Sequence, residues 1–286
     1  MKAVYNGYSQ EQLDGLLNAR AMVPDNEAYT DRFARRSSEI REHANGTFDI
    51  SYGQGIRERI DLFLPDATNR PAVNLFFHGG YWRASDKERY SFVADAFASF
   101  GAACAVVEYE LVPAVTLDEL VAQCRAAVAY VYNHAGELNV EPDRIYVSGH
   151  SAGGQIVGML LADGWQQQHG LPTDVIKGGT GISGLYDMEA IRLSYLNETL
   201  RLDAEAAARN SAYRQQPASG APLLLAVGAD EREEFLRQNA LMHRAWKDKA
   251  AVRPIVLDGL HHYSAVESLG DPHSELGLAI RQQMGL

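Results

Sequence analysis

From about residue 46 to the C-terminus, short apolar runs alternate with amphipathic stretches. VNLFFHGG, AACAVVEYEL, RIYVSGHS, VIKGGTGISG, PLLLAVGA and VRPIVLDG read as six sheet strands, because each is a brief β-branched or aromatic run closed by turn residues. The spacing between them predicts helices over roughly 87–100, 117–134, 152–163 and 233–247, and a closing one from Ser274. Thr116 followed by Glu119 gives the second of these a capping box. Strands alternating with helices imply βαβ units and a mostly parallel sheet. FDISYG and IRERIDLFLP alternate polar with apolar around a Gly-Gln-Gly turn, as a half-exposed antiparallel entry hairpin would.

Two segments stand outside that alternation. Residues 1–45 form a polar, helix-rich arm. Residues from about 187 to 217, including YLNETLRLDAEAAARN, favour helix with weak apolar periodicity. They read as a small helical insertion over the carboxyl ends of the strands, where open α/β sheets bind ligands; the competing reading is a surface excursion. With no linker between halves, the expectation is a single domain over 1–286.

Composition narrows the function classes. With 26 basic and 37 acidic residues the chain carries −11 and has no basic stretch, so nucleic acid is not an expected partner. No apolar run reaches the length of a signal-peptide core or the ~20 residues of a membrane span, so a cytoplasmic protein is expected. Cys104 and Cys124 lack metal or redox spacing, and the nine histidines include no H-E-x-x-H pattern. Neither a metal nor a cofactor is expected. Oligomeric state is open, and a homodimer is compatible with the sequence.

The chemistry is concentrated at GHSAGG. Gly149-His150-Ser151-Ala152-Gly153 lies between a strand and a helix and fits the nucleophile-elbow pattern G-x-S-x-G, which makes Ser151 the candidate nucleophile. A serine hydroxyl is a weak nucleophile at neutral pH and needs a base, an orienter for that base and donors for the oxyanion. His261 and His262 follow the last strand, where this arrangement places its base. Asp230 and Glu231 follow the preceding strand, and the usual offset from Gly228 favours Glu231 over the alternative Asp230. The loop His78-Gly79-Gly80-Tyr81-Trp82 supplies an oxyanion hole from the amides of Gly80 and Tyr81, with that of Ala152 as the third donor. His78 is read as a brace for that loop.

These residues resemble a known family. GHSAGG with the upstream HGG loop is similar to the α/β-hydrolase superfamily, and H-G-G-Y-W resembles its arylformamidase (kynurenine formamidase) group. LLNARAMVPD, YELVPAVTLDELVAQCRAAVAYVY, SGLYDM, EEFLRQ and GLHHYSAVESL also resemble segments of that group, although Leu17 stands where a tyrosine is common. The resemblance implies an α/β-hydrolase fold, a mostly parallel sheet flanked by helices. It places the acid four residues before Phe235, at Glu231, and the base ahead of Tyr263, at His262. The implied activity is metal-free hydrolysis of a small-molecule aryl formamide or N-acyl aryl amine through an acyl-enzyme. The alternatives are a carboxylesterase of small esters and an inactive small-molecule receptor. Tyr81, Trp82 and Tyr186 are the candidate substrate-binding aromatics, with core packing as the competing role for the first two.

Overall fold

The computed structural model describes residues 3–286; Met1 and Lys2, the first residues of the expected arm, lie outside it. Eight strands form one sheet: β1 (Gly46–Ser51), β2 (Arg59–Phe63), β3 (Val73–Phe77), β4 (Ala103–Val107), β5 (Ile145–His150), β6 (Ile176–Ile182), β7 (Leu223–Gly228) and β8 (Val252–Leu257). Their spatial order is β1-β2-β4-β3-β5-β6-β7-β8. The pairs β1/β2 and β2/β4 are antiparallel, and every pair from β4/β3 to β7/β8 is parallel.

Central strands are buried on both faces, which explains why they read as unbroken apolar runs. Along β3, Val73, Leu75 and Phe77 point into one core layer, and Phe76 points into the other. Asn74, on the second face, donates to Ser148 Oγ at 2.7 Å, so the one polar residue of β3 is satisfied inside the sheet. Of the two strands of the expected entry hairpin, β1 alone is half-exposed. β2 lies between β1 and β4 and is buried from Ile60 onward.

The helices Leu117–Asn133 and Ala152–Leu161 cover one face; Ala94–Ser99, His262–Glu267 and Glu275–Met284 cover the other. The Thr116/Glu119 capping box forms. The helix expected over 87–100 begins instead as a 3-10 segment, Glu88–Val93. Ser37 explains the difference: its hydroxyl accepts from the Phe92 amide at 3.0 Å and donates to the Arg89 carbonyl at 2.9 Å, engaging groups an α-helix would pair internally.

The arm consists of helices Gln10–Leu16, Ala19–Met22 and Asn26–His43. Leu13, Leu17 and Ala19 pack into the first core layer and Phe33 into the second, so the arm passes from one face of the sheet to the other. Between β6 and β7 the chain forms Met188–Arg192, Asn197–Leu200 and Ala204–Asn210. The arm is tied to this excursion: Gln10 Nε2 donates to the Leu193 carbonyl at 2.9 Å, and the Tyr195 amide donates to Asp14 Oδ1 at 2.8 Å. Tyr5 also hydrogen-bonds Asp187. Among the described residues, no helix is long and apolar enough to cross a membrane.

Candidate active site

The β5 strand ends at His150 and the next helix starts at Ala152, leaving Ser151 alone to make the turn. Its backbone takes φ 57°, ψ −114°, a conformation costly for a residue with a Cβ. The turn is clamped from two sides. The Ser151 amide donates to the Ile182 carbonyl of β6 at 2.8 Å. A Cβ on Gly153 would stand 2.0 Å from the Phe77 carbonyl oxygen, and one on Gly149 would stand 2.3 Å from that of Gly153. The G-x-S-x-G spacing is therefore a packing requirement: both flanking positions lie against backbone that cannot retreat.

His262 opens the helix His262–Glu267, an element the sequence pattern does not signal. The N-cap is His261, whose Nδ1 accepts from the amides of Ser264 at 3.2 Å and Tyr263 at 3.3 Å, while Ser264 Oγ accepts from the His261 amide at 2.8 Å. This is a capping box built on histidine instead of the usual Ser, Thr or Asp. It also gives His261 a structural role, with its ring edge-on to Tyr29 at 4.8 Å.

His262 is buried, and its Nδ1 lies 2.8 Å from Glu231 Oε2. A carboxylate only accepts, so Nδ1 carries the proton and Nε2 keeps its lone pair. Glu231 is itself buried, and its other oxygen accepts from the Gly228 amide at 2.9 Å and from the Ser183 hydroxyl. Asp230, the alternative acid, is exposed; its amide donates to the Leu260 carbonyl at 3.0 Å and its side chain makes no bond to His262. The reason is the turn after β7, which points the first acid outward and the second into the sheet edge beside the histidine.

Ser151 and His262 open onto one cavity of about 730 Å³. Among the described residues no hydrogen bond joins the Ser151 hydroxyl to His262, a contact that in this chemistry commonly tightens with substrate in place. Neither do any of these residues accept from the amides of Gly80, Tyr81 or Ala152. Gly80, Tyr81 and Trp82 all have positive φ, at 121°, 51° and 58°. The loop is braced beneath by His78, whose Nε2 is 3.0 Å from Glu108 Oε1 and whose carbonyl accepts from the Tyr109 hydroxyl at 2.6 Å. Burial alone would raise the Glu108 carboxyl, but His78, the Lys87 amide and Arg57 outweigh it and hold the group below its ordinary range.

His150 is an unforeseen member of the site. Its ring sits 4.5 Å from that of His262, and Nε2 donates to the His262 carbonyl at 3.0 Å. Burial, then the neighbouring His262, pushes its pKa well below 6.5, so it is neutral. Ser183 was also unforeseen, although its position directly after β6 is the one cue that it reaches the strand ends.

Of the three aromatic expectations, those at Trp82 and Tyr186 need correction. Tyr81 lines the cavity, and its hydroxyl donates to the Leu17 carbonyl, anchoring the arm to the loop. Trp82 is fully buried away from the cavity, its Nε1 donating to Gln155 Oε1 at 3.1 Å. Tyr186 is likewise in the core, packed on Gly181 and Gly184. The Tyr186 ring fills room that these glycines leave. The roof also differs. The arm supplies Asn18, Ala19, Arg20, Asn26, Glu27, Thr30 and Phe33 to the cavity wall, whereas the excursion between β6 and β7 supplies Tyr195. Among the described residues no group of three or more His, Cys, Asp or Glu is placed to hold a metal ion.

The chain is similar to known proteins in sequence and in fold. The BD-FAE family model matches residues 60–178. A kynurenine formamidase of Salmo salar is 30% identical over 261 residues, covering 87% of this chain and 85% of the relative. The chain belongs to the kynurenine formamidase family. Its fold is that of the α/β-hydrolases, and it is a hydrolase of that type. A solved structure of a proposed thioesterase from Silicibacter sp. superposes with TM-score 0.83 at 31% identity, covering 94% of this chain and 98% of that one. The hyperthermophilic esterase of Pyrobaculum calidifontis superposes with TM-score 0.69 at 17% identity, over 96% and 94% of the two chains, a likeness of fold. Family membership thus rests on sequence along most of the chain.

Proposed function

We propose that this formamidase-family hydrolase cleaves aryl formamides and related N-acyl aryl amines, of which N-formylkynurenine is the type substrate, with Ser151, His262 and Glu231 as its catalytic triad. The observation that carries the reading is the buried Glu231–His262 pair, 2.8 Å apart, whose histidine opens onto the same cavity as a serine held at positive φ. His262 Nε2 takes the Ser151 proton as Oγ attacks the formyl or acyl carbon, and Glu231 stabilises the imidazolium that forms. The amides of Gly80, Tyr81 and Ala152 receive the oxyanion. His262 then gives its proton to the aryl amine nitrogen, the C–N bond breaks, and the acyl group stays on Ser151. Water, deprotonated by the same Nε2, attacks the ester and releases the acid. No step calls for a metal.

A carboxylesterase would use the same groups, because an ester differs only in its better leaving group. The small-molecule receptor reading requires that the serine be unreactive. Treating the folded protein with a fluorophosphonate and mapping the adduct by mass spectrometry tests this. Labelling at Ser151 that disappears in His262→Ala supports the mechanism; a folded protein that stays unlabelled supports a receptor.

A further inference from the structure

Five charged side chains line the cavity: Arg20, Glu27, Arg83, Asp86 and Arg89. Asp86 and Arg89 satisfy each other at 3.3 Å. Glu27 stands on the exposed rim and pairs with neither remaining arginine. Among the described residues, then, Arg20 and Arg83 make no ion pair. They come from different parts of the chain, one from the arm and one from the residue after the HGGYW loop, yet both line this cavity. The Arg83 guanidinium lies 5.9 Å from the Tyr195 ring centroid and its Nη1 donates to Thr199 Oγ1 at 3.0 Å, leaving further donors of the fork free. Burial raises the Tyr195 hydroxyl, the charge of Arg83 lowers it, that of Asp14 raises it and that of Arg20 lowers it; Arg20 also lowers the Tyr263 hydroxyl.

Arg83, beside the Tyr195 ring, and the exposed Arg20 line one cavity without an ion-pair partner, and a guanidinium is suited to a planar anion. The setting makes the pair more telling. A chain of net charge −11 repels an anionic substrate at long range, and this wall reverses the sign locally.

Resting on the assignment of Ser151 as the nucleophile, we propose that Arg20 and Arg83 form a carboxylate subsite that selects aryl amides bearing a carboxylate remote from the scissile bond. The scissile carbonyl lies at Ser151 while the carboxylate reaches the arm side of the same cavity, so the arm reads the substrate and the sheet cleaves it.

The test is the ratio of kcat/KM for an acid to that for its neutral counterpart. One pair is N-formylkynurenine and its decarboxylated analogue; the second is 3-(2-acetoxyphenyl)propionate and its neutral carboxamide. Parent, Arg20→Gln, Arg83→Gln, the double variant and Arg83→Lys are compared, with thermal melts to establish that each is folded. The proposal predicts that the ratio falls on the order of ten- to a hundred-fold in the double variant, as expected for loss of charge-assisted bonds, mainly through KM, and that Arg83→Lys recovers part of the loss. A ratio within twofold of the parent overturns the subsite, whatever the amide activity. If neither amide is cleaved, the formamidase reading fails and the ester pair still decides the arginines.

Discussion

Glu231 Oε2 lies 2.8 Å from Nδ1 of His262, while its second oxygen is fixed by the Gly228 amide at 2.9 Å. The Glu231 carboxylate, the proposed triad acid, is therefore oriented from the strand end before substrate arrives. Glu231→Gln puts an amide NH₂ or a neutral oxygen against the histidine and disturbs the tautomer that leaves Nε2 free. Its kcat is expected to fall on the order of 10³- to 10⁴-fold with the fold retained. Asp230→Asn, at an exposed position, is expected to stay within about twofold of the parent. Steady-state kinetics of the two variants side by side check this; equal losses would contradict the assignment.

The strain at Ser151 has a measurable consequence. Ser151→Ala keeps the Cβ at φ 57°, and Ser151→Gly removes it. Both are expected to lose on the order of 10⁶-fold in turnover. Only the glycine variant relieves the backbone, and it should be the more stable of the two by about 1 kcal/mol in denaturant unfolding. A glycine variant no more stable than the alanine one would mean that the turn is unstrained.

Gly153→Ala forces a Cβ to 2.0 Å from the Phe77 carbonyl oxygen, a backbone atom in the middle of the sheet. A loss of about 3 kcal/mol or more, or failure to fold, is expected. Gly15→Ala, in the helix Gln10–Leu16 with nothing within 4 Å of the added carbon, is expected to stabilise by about 0.5–1 kcal/mol. Urea titrations of the pair separate a packing requirement from a general intolerance of glycine replacement.

His150 predicts a pH dependence of stability. Its folded pKa is depressed below 6.5 by burial and by His262, so between that depressed value and 6.5 the unfolded chain binds a proton the folded one does not. Stability from this group is complete above 6.5 and is lost as pH falls, with a slope of up to about 1.4 kcal/mol per pH unit. His150→Gln should flatten the stability profile across that window whatever its effect on absolute stability. Parallel profiles for parent and variant would show that His150 does not titrate between the two states.

Much of this architecture was readable from the chain because its determinants are local. The six parallel strands announce themselves as apolar runs, and the elbow glycines sit beside the serine they serve. Glu231, the acid proposed for the triad, stands three residues after Gly228, and the structure places it rather than Asp230 against His262. What the sequence does not display depends on contacts between distant segments. Asn18, Arg20 and Asn26 belong to an arm that the sequence marks only as polar, and the fold brings them to the cavity wall. Trp82 follows Tyr81 directly, and only the loop's run of positive φ sends one ring to the cavity and the other to Gln155. The helix at His262 is hidden because its cap is a histidine, a residue type that composition rules assign to chemistry.

The most direct measurement is kcat/KM of the purified protein on N-formylkynurenine, an acyl anilide and a short aryl ester, with Ser151→Ala as the blank. Efficient cleavage of the formamide, abolished in the blank, is the predicted result. An ester hydrolysed orders of magnitude faster while both amides are inert would contradict it.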